Sequence, residues 1–107
     1  MSQVCDVAIV GGGVVGSAVA YFLLGHTDFA GRVVVIEKDP TYAAAATARS
    51  AGGIRQQFST PENIAMSSFG AAFVKNIADY LSVGDEPASL PFTEWGYLFL
   101  ATEAGLP

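Results

Sequence analysis

The residues best placed to do chemistry are a cluster of glycines near the start of the chain and one glutamate beyond them. Gly11-Gly12-Gly13-Val14-Val15-Gly16 sets glycines at the first, third and sixth positions of a short run, and Glu37 follows 21 residues after Gly16. That spacing suits a dinucleotide. Gly11 permits a tight turn, Gly13 has no Cβ and lets a pyrophosphate approach the backbone, and Gly16 lets a following helix pack closely. A helix starting there offers unpaired N–H groups and partial positive charge to phosphates. A carboxylate at Glu37 can accept hydrogen bonds from ribose hydroxyls. It would repel a 2′-phosphate, which disfavours NADP. FAD and NAD both keep a free 2′-hydroxyl, so this argument does not separate them. Lys38 and Arg32 soften the repulsion but read as solvated surface cations.

The elements that must position these residues are legible in the apolar pattern. Val7-Ala8-Ile9-Val10 reads as a strand running into the glycines, and Val33-Val34-Val35-Ile36 as a second strand ending at Glu37. Between them a helix is predicted from Val15 to about Leu24, with Ala18, Ala20, Tyr21 and Phe22 available to pack on the sheet. A glycine pattern alone is a weak signal. Strand, turn, helix and acid-tipped strand together are a specific one, and the competing reading is a structural glycine turn before a core helix.

A second informative stretch follows Pro40. Tyr42-Ala43-Ala44-Ala45-Ala46-Thr47-Ala48 is a small-residue segment predicted as a short helix or a close-packed loop, and it leads into Arg49-Ser50-Ala51-Gly52-Gly53-Ile54-Arg55-Gln56-Gln57-Phe58. Backbone without side chains at Gly52 and Gly53 could lie against a flat ring. Ser50 can donate to a phosphate oxygen, and Arg49 or Arg55 can pair with phosphate or carboxylate. The plainer alternative is a flexible Gly-Gly hinge flanked by exposed arginines.

Val10 through Gly16, Glu37-Lys38 and the Arg49–Phe58 segment together resemble the D-amino-acid oxidase (DAO) family of FAD-dependent oxidoreductases. The likeness is closest to the sarcosine oxidase and dehydrogenase branch and to the β-subunits of dye-linked L-proline dehydrogenases, and it covers nearly the whole chain. The resemblance implies FAD as cofactor. Val10, Gly11, Gly13, Val14, Val15 and Gly16 would hold its pyrophosphate, and Glu37 with Lys38 the adenosine ribose. Arg49 and Ser50 would reach the pyrophosphate or ribityl chain, and Ala51, Gly52, Gly53 and Ile54 would lie beside the isoalloxazine. Arg55 matches a position that faces the substrate pocket and can pair with an amino-acid carboxylate. Such enzymes oxidise a C–N bond next to a carboxylate, with hydride passing to the flavin and the imine then hydrolysing. The implied substrate is an amine or amino acid of the sarcosine, proline or D-amino-acid kind.

Composition bounds the remaining possibilities. With 107 residues the chain allows one domain or part of one. It is 51% hydrophobic and 14% charged, and its all-apolar strands suit a parallel sheet covered on both faces. One βαβ unit, one further helix and one late strand cannot supply both coverings. An incomplete fold is therefore expected, finished by remaining polypeptide or a partner subunit. A net charge of −5 leaves no basic stripe for nucleic acid, and no apolar run approaches a transmembrane length. The single cysteine, Cys5, excludes an internal disulfide and suits a reducing cytoplasm; it reads as a packed thiol at the start of the first strand. No His, Cys, Asp and Glu grouping has metal-ligand spacing. His26 reads as a surface or helix-capping residue.

The rest reads as scaffold. Thr60-Pro61-Glu62 predicts a helix start, with Thr60 or Ser59 capping and Glu62 favourable to the dipole. Met66, Phe69, Phe73, Ile77 and Tyr80 predict one buried stripe running to about Leu81. Residues 82–91 are a turn-rich connection, and Trp95-Gly96-Tyr97-Leu98-Phe99-Leu100-Ala101 predicts a strand. The expected fold is α/β: a Rossmann-like FAD-binding βαβ unit with an additional helix (residues 1–81), the connection, and the first strand of a substrate domain (residues 92–107). Two further function classes stay open, an NAD-linked dehydrogenase or other flavoprotein, and a non-catalytic nucleotide-binding module.

Overall fold

The computed structural model describes residues 4–105, and the chain divides into two compact units at Gly53/Ile54. The first unit is built on two parallel strands. β1 (Val7–Val10) pairs with β2 (Val33–Ile36) in the register Val7↔Val33 to Val10↔Ile36. Both are short runs of mainly β-branched residues, whose side chains fit a pleated surface. Two parallel strands require a crossover, and α1 (Val14–Leu24) supplies it. The ladder is closed at both ends. Asp6 and Val7 donate their backbone N–H groups to the Arg32 carbonyl at 3.0 and 3.2 Å, and Arg32 returns its N–H to Asp6 Oδ2 at 2.7 Å. At the other end Gly11 N–H donates to the Ile36 carbonyl at 2.8 Å.

Helix α1 starts one residue earlier than the apolar periodicity predicts, because Gly13 in extended conformation takes the N-cap position. Gly25 ends it, donating its N–H to the Tyr21 carbonyl at 3.0 Å. Ala18 and Ala20 are half-buried, as packing on the sheet requires, but Tyr21 and Phe22 are exposed and meet each other edge to face at 5.1 Å. Two strands cover a narrow stripe of the helix, so the rings lie outside it. Cys5 is half-buried and free, and His26 is exposed, its Nδ1 accepting from Asp28 N–H at 3.3 Å.

The second unit corrects four expectations. The helix expected over 60–81 is two helices, α2 (Pro61–Lys75) and α3 (Ile77–Leu81). Asn76 breaks it with a non-helical backbone (φ −110°, ψ 31°), and its side-chain amide and backbone N–H both donate to the Ala72 carbonyl, at 2.9 and 3.1 Å. An asparagine side chain that bonds the backbone of the preceding turn competes with continuing the helix. Thr60 occupies the N-cap position and Pro61 and Glu62 the first turn, but the Thr60 side chain makes no capping hydrogen bond.

The aromatic stripe exists but is not buried. Phe69–Phe73 and Phe73–Tyr80 ring centroids lie 6.1 and 4.5 Å apart, yet Met66, Phe69 and Tyr80 are exposed and Ala71 is the buried apolar residue of α2. Helical periodicity aligns side chains on one face; burial needs a second layer over that face.

The connection over 82–91 is turn-rich as expected. Val83 and Glu86 exchange backbone hydrogen bonds at 3.1 Å, and Ser82 Oγ accepts from Ala88 N–H at 3.0 Å. The strand expected at 95–101, read as the first of a substrate domain, is absent. This segment is irregular, followed by a single 3-10 turn at Glu103–Gly105. Gly96 takes φ +71°, which interrupts an extended run, and no described strand pairs with it. Trp95 and Leu100 stand 90% and 92% exposed. β-propensity without a ladder partner does not make a strand.

Candidate functional site

The turn between β1 and α1 owes its shape to three different demands on its glycines. Gly11 has φ +101°, a conformation L side chains rarely adopt. Gly16 is required by contact: a Cβ there would stand 1.8 Å from the Gly11 carbonyl oxygen and 3.1 Å from Ile9 Cγ2. The first turn of α1 is thereby laid directly on the backbone that leaves β1. Gly13 differs from both. Its φ of −62° suits any residue, and a Cβ there would meet nothing within 4 Å. The space beside Gly13, at the N-terminus of α1, is open and can receive a phosphate group. Ser17 Oγ donates to the Gly12 carbonyl at 2.7 Å and steadies the turn behind it.

Glu37 stands at the tip of β2. Its Oε1 accepts from Asp39 N–H at 2.9 Å, and its Oε2 accepts from Gly12 N–H at 2.7 Å. Hydrogen bonds from these two amides, that of Asp39 foremost, hold its carboxyl below the usual carboxylate range. Each oxygen keeps acceptor capacity for a ribose hydroxyl. Gly13, Glu37, Lys38, Asp39, Tyr42 and Ala44–Ala46 line a cleft of about 210 Å³. The glycine turn, the helix N-terminus and the acid thus meet in one place, and the residues present fit the phosphate and ribose of a dinucleotide.

Residues 41–50 form successive turns rather than a helix, which settles the choice between a short helix and a loop. Ser50 Oγ donates to the Thr47 carbonyl at 2.9 Å and accepts from Gly52 N–H at 3.2 Å, and Gly52 takes φ +66°. Open space surrounds the Cβ positions of Gly52 and Gly53. Arg49, Ala51 and Ile54 are exposed. Arg55 belongs to the second unit: its Nε donates to the Gln57 carbonyl at 3.0 Å, and its guanidinium lies over the Phe58 ring, 5.2 Å from the centroid.

Sequence reasoning missed Asp39, Tyr42 and Ala44–Ala46 in the lining of the cleft. Asp39 turns the chain through its bonds to Thr41 N–H and Oγ1, at 3.0 and 2.6 Å; an aspartate two residues before a threonine is a turn signal that could have found it. The Thr41 hydroxyl, then its N–H, holds the Asp39 carboxyl below its usual range. Tyr42 has no local signal as a cleft residue, since its ring lies beside Gly12, far away in the chain.

A family model for FAD dependent oxidoreductases, the DAO model, matches residues 6–107. The chain belongs to the DAO family. The family's cofactor, and therefore this chain's, is FAD. The chain is similar to proteins called FAD-dependent oxidoreductase domain-containing protein 1. Identity is 54% over 103 residues with that of Xenopus laevis and with that of Bos taurus, covering 94% of this chain and 21% of each relative. The Drosophila melanogaster homolog is 50% identical over 99 residues, covering 92% of this chain and 19% of its own length. The chain thus spans about a fifth of these curated relatives, whose names give no substrate and do not single out the sarcosine oxidase branch. No solved structure matches it. Among the described residues no helix is long and apolar enough to cross a membrane, and no group of His, Cys, Asp and Glu could hold a metal ion.

Proposed function

We propose that this DAO-family chain is the N-terminal, FAD-binding portion of an enzyme that oxidises the C–N bond of an amino acid or secondary amine, of the sarcosine, proline or D-amino-acid kind. The observation that carries the cofactor side of this reading is the open space at Gly13 beside an ionised Glu37 held by Gly12 N–H. Gly13, Val14, Val15 and Gly16 bind the pyrophosphate through backbone N–H groups and the α1 N-terminus, with Val10 leading into the turn and Gly11, whose N–H is taken by the Ile36 carbonyl, shaping it. Glu37 accepts from the adenosine ribose, and Lys38 follows it at the rim. Arg49 and Ser50 bind phosphate or ribityl oxygens, and Ala51 to Ile54 lie along the flavin ring.

The amine reading rests on the likeness of the Arg49–Phe58 segment to amine-oxidising members and on Arg55. A guanidinium can grip a carboxylate with two parallel hydrogen bonds. That grip would fix the substrate's orientation, since the flavin, when bound, supplies the electron-accepting chemistry. Residues 1–81 would belong to the FAD domain and 92–107 to the start of a substrate domain, with further polypeptide or a partner subunit completing both. The free Cys5 fits a reducing compartment such as the cytoplasm.

The test is an absorbance spectrum of the protein expressed with all coding sequence that accompanies residues 1–107. Flavin bands, released as FAD on denaturation, followed by bleaching under anaerobic sarcosine, proline or a D-amino acid, are the expected result. A flavin that no amine or amino acid reduces would refute the amine reading, and a colourless protein that refuses added FAD would refute the site.

A further inference from the structure

We propose that Tyr42 is a positioning residue at the adenosine end of the FAD site, a ring wall that closes the cleft over Gly12 and Glu37. This rests on the FAD reading above. Among the described residues Tyr42 is the non-glycine residue with a positive φ, +56°. A bulky side chain in that region is unfavourable, and glycine or asparagine would occupy it with less strain. Such strain persists where the surroundings hold it. Here they do: Tyr42 N–H donates to the Asp39 carbonyl at 3.0 Å, and the Tyr42 carbonyl accepts from Ala45 N–H at 3.0 Å.

The strained backbone delivers the ring to a defined place. A Cβ built on Gly12 would lie 3.1 Å from the Tyr42 hydroxyl oxygen, 3.5 Å from its Cε1 and 3.3 Å from Glu37 Cβ. Gly12 is therefore buried in a two-sided contact with the ring and the acid, and its N–H holds one of the Glu37 oxygens. A tyrosine serving a core would be enclosed, yet Tyr42 remains 43% exposed and lines the same open cleft as Gly13 and Glu37. The ring thus stands beside the two groups that face the phosphate and the ribose, with surface left to contact a ligand. An aromatic wall of this kind adds van der Waals contact with a sugar or base at little conformational cost.

The test measures binding of FAD, and of ADP as the half carrying the ribose, to the protein with all of its accompanying coding sequence. Flavin fluorescence reads the first and titration calorimetry the second. Tyr42→Ala is expected to weaken both about tenfold, and Tyr42→Phe to keep both within about threefold. Tyr42→Gly, which removes the ring and relaxes the backbone, is expected to match the alanine variant in binding while melting higher than it; it carries the test if Tyr42→Ala fails to fold. Wild-type binding with unchanged affinities in the alanine and glycine variants would overturn the Tyr42 assignment and leave the FAD site standing. Loss of FAD affinity with ADP affinity intact would also overturn it. A wild-type protein that binds neither ligand overturns both.

Discussion

The backbone N–H of Gly12 donates to Glu37 Oε2 at 2.7 Å, across 25 residues of chain. This bond ties the glycine turn to the tip of the second strand and fixes one carboxylate oxygen, while Asp39 N–H fixes the other at 2.9 Å. The acid is oriented by the fold itself, through backbone donors that only a proline at Gly12 or Asp39 would remove. The bond therefore couples the glycine turn directly to the acid of the candidate site.

Gly13→Val should leave folding intact and abolish flavin retention. The backbone at Gly13 suits an L residue, and the added side chain would enter open space that the pyrophosphate needs. Flavin content per protein after gel filtration checks this, and an undiminished value would remove Gly13 from the site.

Gly16→Ala should behave in the opposite way, damaging the fold itself. Its Cβ would overlap the Gly11 carbonyl oxygen, which is backbone and cannot rotate away. Loss of about 2–4 kcal/mol is expected, read by denaturant unfolding of the apo-protein. A loss below about 0.5 kcal/mol would mean that α1 lifts freely from β1.

Glu37 gives the first unit a pH dependence. Its carboxyl titrates below the ordinary value of 4.5 in the folded chain, so the unfolded state binds the proton more tightly. The contribution is complete above 4.5 and is lost as pH falls through the lowered folded value. Wild type should therefore lose melting temperature as pH falls below 4.5 more steeply than Glu37→Gln. Parallel curves for the two proteins would count against this carboxylate.

Arg55→Ala should raise KM for a carboxylate-bearing amine about a hundredfold with the flavin spectrum unchanged, since a lost charge-assisted pair is worth about 2–3 kcal/mol. Arg55→Lys should recover part of the loss. Equal effects on an amine lacking a carboxylate would show that Arg55 acts on something other than that group.

The βαβ unit was readable because its signals are local. β-branched runs, helical spacing and glycines at a turn act over a few residues, and the observed β1, α1 and β2 follow them to within one residue. The break at Asn76 was less visible, because whether an asparagine bonds back to Ala72 depends on the packing of both helices. The stripe of Met66, Phe69 and Tyr80 and the segment from Trp95 to Ala101 carried clear periodicity and apolarity, yet those three stripe residues are exposed and no described strand takes in 95–101. Those patterns state what a segment could pack against and leave the partner unspecified.

By itself the sequence determined the order of the first three elements, the placing of glycine at Gly11, Gly13 and Gly16, and the acid at the second strand's end. These depend on backbone sterics and hydrogen-bonding capacity that each residue carries with it. Tertiary structure alone decided that Gly16 is excluded from bearing a Cβ by Gly11, that Glu37 is bound by Gly12, and that a strained Tyr42 stands over the same cleft. The approaches of Glu37 and Tyr42 to Gly12 are distances between residues far apart in the chain, and such distances exist only once the strands are in register and the crossover has closed.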